Sequence, residues 1–214
     1  MPARSSTRSA AAALLLIAAC GPGKKAAPPA PEADPAEVAT RAAAMLQNAP
    51  VMGSARDCTP ADLKGGLAMT QNTLLALAHK PIAKDPEHAD WINPTELDAP
   101  AARALLDQPA TSPAARQAAA AWLAAPFYLV YRVDNVDAPL ALGVKELKIG
   151  NVGGRVIRYE KSGQPGCVIV YNWQNDPKVS EQAIADSDKT LVDPKVEERV
   201  RADLRAQYLK VAPR

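Results

Sequence analysis

Apolar positions recur at helical spacing through the first part of the chain, alternate strictly from Phe127, and return to helical spacing near the end. The first periodic segment predicts a helix over about 35–49. Asp34 can cap it, Pro35 suits its first turn, and Glu37 sits at the third position. Val38, Ala42, Met45 and Leu46 then share one face until Asn48-Ala49-Pro50 stops the run. Thr59-Pro60-Ala61-Asp62 repeats the start signal. Leu63, Leu67, Leu74 and Leu77 keep helical spacing, with Gly65-Gly66 separating a turn from a longer helix over about 67–79. Prolines at 81, 86, 94, 100 and 109 leave short helical turns, clearest from Pro100 to Asp107. Ser112-Pro113 opens a helix through Ala118 and Trp122 that Pro126 ends.

Phe127, Leu129, Tyr131 and Val133 lie on one face of an aromatic and β-branched run, which predicts a strand. A second strand is expected within Leu140–Ile149, with a bulge or turn near Lys145-Glu146 where the apolar phase changes. Gly150-Asn151-Val152-Gly153-Gly154 reads as a connection into a strand over Arg155–Lys161. Ser162 to Gly166 then leads to Cys167–Trp173, where Cys167, Ile169, Tyr171 and Trp173 alternate onto one face. Such tight connections predict an antiparallel meander of three or four strands. Asp193-Pro194 with Glu197 starts a last helix, with a stripe at Val196, Val200, Leu204, Tyr208 and Val211. Helices, then sheet, then helix make the fold class α+β.

The opening residues follow none of these patterns. Arg4 and Arg8 precede an uncharged apolar run from Ala10 to Ala19, and Cys20 follows. The run is half of the roughly 20 residues that a membrane-crossing helix needs, so it reads as a signal peptide. Ile17-Ala18-Ala19-Cys20 resembles the lipobox of bacterial lipoproteins. The resemblance implies cleavage before Cys20, three acyl chains on its sulfur and new amino group, and attachment to the membrane through that lipid. Gly21, where an aspartate would favour inner-membrane retention in enteric-type sorting, points to the outer membrane facing the periplasm. Residues 21–36 carry prolines at 22, 28, 29, 31 and 35 and favour extended polyproline II. Fifteen such residues reach roughly 45 Å from the lipid. The chain thus divides into a signal peptide (1–19), a lipidated cysteine with a Pro/Ala-rich tether (20–36) and one α+β domain (37–214).

Charge looks different after such processing. The full chain has 25 basic and 23 acidic residues, and residues 1–19 hold Arg4 and Arg8 but no acid, leaving 23 of each. A neutral chain without a basic block lacks the footprint of a nucleic-acid-binding protein. With Cys20 committed to lipid on that resemblance, Cys58 and Cys167 remain for an oxidising compartment, where a single structural disulfide is expected. No C-x-x-C spacing suggests a redox pair.

Candidate chemistry is sparse. Asp85, Glu87, His88 and Asp90 concentrate metal-ligand types, with His79 upstream, but they also describe a capped turn and match no metal spacing. Asp134-Asn135-Val136-Asp137 and Asp186-Ser187-Asp188 lack the regular calcium loop and read as turns. The glycines at 150–154 precede a strand, where a phosphate cradle needs a helix. Neither G-x-S-x-G nor a singled-out carboxylate pair is present, so no catalytic residue and no cofactor is assigned. Tyr171 and Trp173, beside Asn172, Gln174 and Asn175 and together with Trp91, form the candidate binding surface. The function expected is non-enzymatic contact with an envelope protein or the cell wall. A small-ligand or glycan-binding lipoprotein is the alternative, and a periplasmic hydrolase the third reading.

Overall fold

Asp34 caps the first helix as its position predicts. In the computed structural model it accepts the Ala36 N–H at 2.9 Å and opens α1 (Pro35–Gln47). That model describes residues 31–51, 55–82, 95–137, 140–143, 146–148, 150–176, 178 and 194–211. Just before the cap, Glu32 pairs with Arg116 at 2.7 Å and the Ala33 N–H bonds the Arg116 carbonyl at 3.0 Å. The other start signals behave alike. Ser112 accepts the Ala115 N–H at 3.0 Å and opens α4 (Pro113–Leu123), while α3 (Pro100–Asp107) begins on its proline. α5 (Pro194–Val211) occupies the predicted C-terminal position.

Leu67–Thr70 is a strand, β1, and not the start of a helix; α2 covers only Gln71–Leu77. Thr59-Pro60-Ala61-Asp62 opens a single 3-10 turn, Pro60–Leu63. The cause is a partner distant in sequence. β1 runs parallel to β2 (Phe127–Asp137), Leu67 opposite Tyr128 and Thr70 opposite Tyr131, and spacing along one segment carries no trace of such a partner. A parallel pair needs a crossover, and α2, α3 and α4 supply it.

The remaining strands are β3 (Leu140–Gly143), β4 (Glu146–Lys148), β5 (Asn151–Glu160) and β6 (Pro165–Gln174). The main sheet has the order β1-β2-β5-β6, antiparallel except for β1, so the meander holds for β2, β5 and β6. The strand expected within 140–149 is two strands, β3 and β4, paired as a separate sheet. The glycines at 153 and 154 belong to β5 instead of a connection, and the 134–137 stretch continues β2 instead of turning.

Alternation splits the sheet between two cores. Tyr128 and Val130 of β2, Ile157 and Tyr159 of β5, and Met69 of β1 meet α1, α2, α3 and α4 through Met45, Leu74, Ala102 and Trp122. Trp122 is fully buried and stacks on Tyr128 with centroids 4.3 Å apart. Burial of each large side chain such as Met45 contributes about 1.5–3 kcal/mol. On the opposite face Leu129, Tyr131, Val156 and Tyr171 pack with Leu63, Leu97, the two cysteines and Leu204 of α5. The fold class is α+β, with helices on both the N-terminal and C-terminal sides of the sheet.

α2 ends on His79, whose φ of 53° lies in the left-handed region. Its N–H bonds the Ala76 carbonyl at 3.0 Å and the Lys80 N–H bonds the Leu75 carbonyl at 2.9 Å. This is the Schellman closure, and glycine is the residue that occupies the position without strain. His79→Gly is expected to raise the unfolding free energy by about 0.5–1 kcal/mol, with no gain from His79→Ala. Urea unfolding of the two variants checks it; equal stability of both would remove the explanation.

Candidate functional site

Strand β6 turns Cys167, Ile169, Tyr171 and Trp173 toward α5 and Val168, Val170, Asn172 and Gln174 the other way. Tyr171 and Trp173 stack with centroids 4.1 Å apart and planes within 10°. Tyr171 is buried, and its hydroxyl reaches across β5 to donate to the Arg132 carbonyl at 2.9 Å. Gly154 opens that path, since a Cβ there would collide with the Arg132 carbonyl and the Tyr171 hydroxyl. Asn175 is likewise engaged. Its Oδ1 accepts the Gly150 N–H at 2.7 Å, and its Nδ2 donates to the Val200 carbonyl at 2.6 Å. Asp203 accepts the Asp176 N–H at 2.9 Å, so α5 is clamped to the end of β6. The structure therefore brings together Tyr171 and Trp173 of the candidate binding surface, largely as packing. Trp91 lies outside the described residues, as does Cys20.

β6 is the edge of the main sheet. The Val168 N–H donates to the Arg56 carbonyl and the Cys58 N–H donates to the Val168 carbonyl, each at 2.9 Å, so Arg56–Cys58 covers the edge at that residue. The disulfide between Cys58 and Cys167, with Cα atoms 5.0 Å apart, ties the same segment down. Beyond Val168 the exposed side chains are Val170, Asn172 and Gln174, and Val170 is 69% exposed. At the opposite edge the Ala99 N–H donates to the Ala68 carbonyl at 2.8 Å, and Asp98 accepts the Thr70 N–H at 2.7 Å.

Three aspartates hold the frame. Asp62 accepts both ends of the Arg56 guanidinium at 2.9 Å, the Thr59 N–H at 2.8 Å and the Thr59 hydroxyl at 2.9 Å. Arg158, stacked 4.2 Å over Phe127, adds a bond at 3.2 Å. The Arg56 fork and the Thr59 bonds hold the Asp62 carboxyl well below its usual value of 3.8. A carboxyl depressed in the folded state contributes stability above its unfolded pKa and loses it as pH falls toward the folded one. Asp62→Asn is therefore expected to melt below the parent near pH 7, with the gap narrowing steadily as pH falls from about 4 to 2. A gap constant across that range, measured by thermal unfolding, would rule out the titration.

Asp98 is buried and accepts the Thr73 hydroxyl at 2.7 Å as well as the Thr70 N–H. Burial pushes its carboxyl up despite those bonds. At Asp134 the β2–β5 register slips, and the bulge directs its carboxylate to Arg155 at 2.7 Å and to Arg132 at 2.8 Å.

Of the candidate metal ligands, His79 is exposed at the end of α2, while 85–91 and 186–188 lie outside the described residues. Among the described residues no three of His, Cys, Asp and Glu gather as metal ligands would. Two hollows open elsewhere: one of about 440 Å³ beside Asn48 and Gln164, and an apolar one of about 320 Å³ beside Val38, Leu77 and Leu106. Neither is lined by Tyr171 or Trp173. No protein-family model matches the chain, and neither a curated protein nor a solved structure does.

The β6 edge is the feature that sequence reasoning missed. The exposed set Val170, Asn172 and Gln174 is simply the complement of the apolar set, but nothing local says that β6 lies outermost.

Proposed function

We propose that this chain is a lipid-anchored protein of the bacterial envelope, acylated on Cys20, whose domain works by contact with other macromolecules and not by catalysis. One observation carries the reading: the stretch from Arg4 through the apolar run to Ile17-Ala18-Ala19-Cys20, with prolines beginning at Pro22. The Cys58–Cys167 disulfide supports it, because such bonds persist in oxidising spaces. Among the described residues no helix is long and apolar enough to cross a membrane, and a multiply acylated cysteine attaches a protein stably without one. Contact rather than catalysis is favoured by the aspartates at 62, 98, 134 and 203, each of which is taken up by structural bonds. Gly21 favours the outer membrane as the destination.

Labelling with palmitate in a lipoprotein-processing bacterium tests the anchor. The parent is expected to incorporate label and to fractionate with membranes, and Cys20→Ala to lose both. Membrane association that persists in Cys20→Ala would end the proposal.

A further inference from the structure

We propose that the half of the β6 edge that none of the described residues covers pairs with the same edge of a second copy of this chain, antiparallel about a two-fold axis at Asn172. Val168 sends its N–H and carbonyl away from β5, toward Arg56 and Cys58. The β5–β6 register runs unbroken from Val168 to Gln174, so Val170, Asn172 and Gln174 point their main-chain groups the same way. None of the hydrogen bonds from Arg56, Asp57 or Cys58 reaches past Val168. The edge thus already accepts one extended segment of its own chain through a single parallel bridge, Asp57 to Val168, and the next three outward-facing residues continue the template.

Edge strands are ordinarily blunted by charge, proline or a bulge. Residues 170–174 read Val-Tyr-Asn-Trp-Gln and carry none of these. Pairing about Asn172 sets Asn172 against its counterpart and Val170 against Gln174 of the second copy, so no like charges are opposed. The exposed Val170 gains a cross-strand neighbour. Such an interface is isologous and closes at two copies. It cannot propagate along the sheet, because Asp98 and Ala99 cover β1 and Arg56–Cys58 covers Val168.

A ladder this short falls below the roughly 1,000 Å² that a free-standing interface needs. Confinement favours so small an interface, and here the inference rests on the lipid-anchored reading: copies tethered to one membrane meet at high effective concentration. That confinement, with the strand's self-complementarity, favours a second copy over a foreign peptide.

Cysteine trapping in the full chain tests the pairing. A hydrogen-bonded antiparallel pair sets Cα atoms about 5.5 Å apart, within disulfide range. Asn172→Cys is expected to yield a disulfide-linked dimer after mild oxidation of membranes, and the exposed control Lys80→Cys is not. In the Asn172→Cys background, Gln174→Pro removes the outward N–H that would donate across the interface, at both ends by symmetry, and spares the β5 ladder. It should lower the trapped dimer about tenfold. Val170→Lys, at a position that is 69% exposed, should lower it as well without disturbing the fold. Trapping in Asn172→Cys no greater than in Lys80→Cys, or insensitive to both substitutions, would overturn the pairing. Palmitate labelling of the same membranes separates the two readings. Acylated protein without a trapped dimer sinks the pairing alone, and a trapped dimer without acylation sinks the anchor alone.

Discussion

Reduction of the Cys58–Cys167 disulfide is expected to cost the domain about 4–5 kcal/mol. The bond closes a loop with a sequence separation of 109, near the length for which chain entropy gives about 4.7 kcal/mol. For a chain of this size that corresponds to a fall in Tm of roughly 10–15 °C. The effect is not only on the unfolded chain. Cys167 is fully buried beside Arg158 and Val156, and Cys58 anchors the short segment that covers the β6 edge at Val168. Loss of the bond should therefore also speed hydrogen exchange at the Cys58 and Val168 amides. Calorimetry with and without reductant, and of a Cys58→Ala/Cys167→Ala double variant, measures it. A Tm within about 2 °C in all three samples would contradict the expectation.

Gly154→Ala comes next, at about 3 kcal/mol, the upper end of the range for overpacked sites. The added methyl meets the Arg132 carbonyl, which is backbone held by the β2–β5 ladder, and the Tyr171 hydroxyl and ring, which are held by Trp173. Neither neighbour can retreat freely. Tyr171→Phe alone should cost about 1 kcal/mol, the value of one hydrogen bond. The double variant should recover part of the Gly154→Ala loss, because only the hydroxyl clash is relieved and those with the carbonyl and the ring remain. Urea unfolding gives all three values. A fully additive double variant would show that the Tyr171 hydroxyl does not limit the space at Gly154.

Both predictions depend on features of very different legibility. The cysteine pair could be matched from the chain because only one internal bond was open once Cys20 was set aside. Gly154 could not be interpreted locally. In the sequence it belongs to a glycine-rich run that resembles a connection, and only its place between Arg132 and Tyr171 on neighbouring strands shows why no side chain fits. The Asp134 bulge is similar. An Asp-Asn-Val-Asp stretch has the composition of a turn, yet two arginines on the paired strands, Arg132 and Arg155, draw Asp134 into β2. The candidate aromatic site was half legible. Alternation placed Tyr171 and Trp173 on one face, whereas burial and the bond to Arg132 decided that Tyr171 belongs to the core.

What the sequence determined by itself is what depends on neighbours a few residues apart. Asp34, Ser112 and the prolines that follow them set helix starts, and the alternation from Phe127 and from Cys167 set strands and which of their residues share a face. The local physics of caps and of the two side-chain periods is complete within such segments. Tertiary structure alone decided the rest. It made Leu67–Thr70 a strand by supplying β2 as a parallel partner, and it buried Asp98 against Thr70 and Thr73. It also left β6 outermost, with Val170, Asn172 and Gln174 on the open side. Those outcomes turn on which distant segment arrives beside which, and an edge exists only once the whole sheet is assembled.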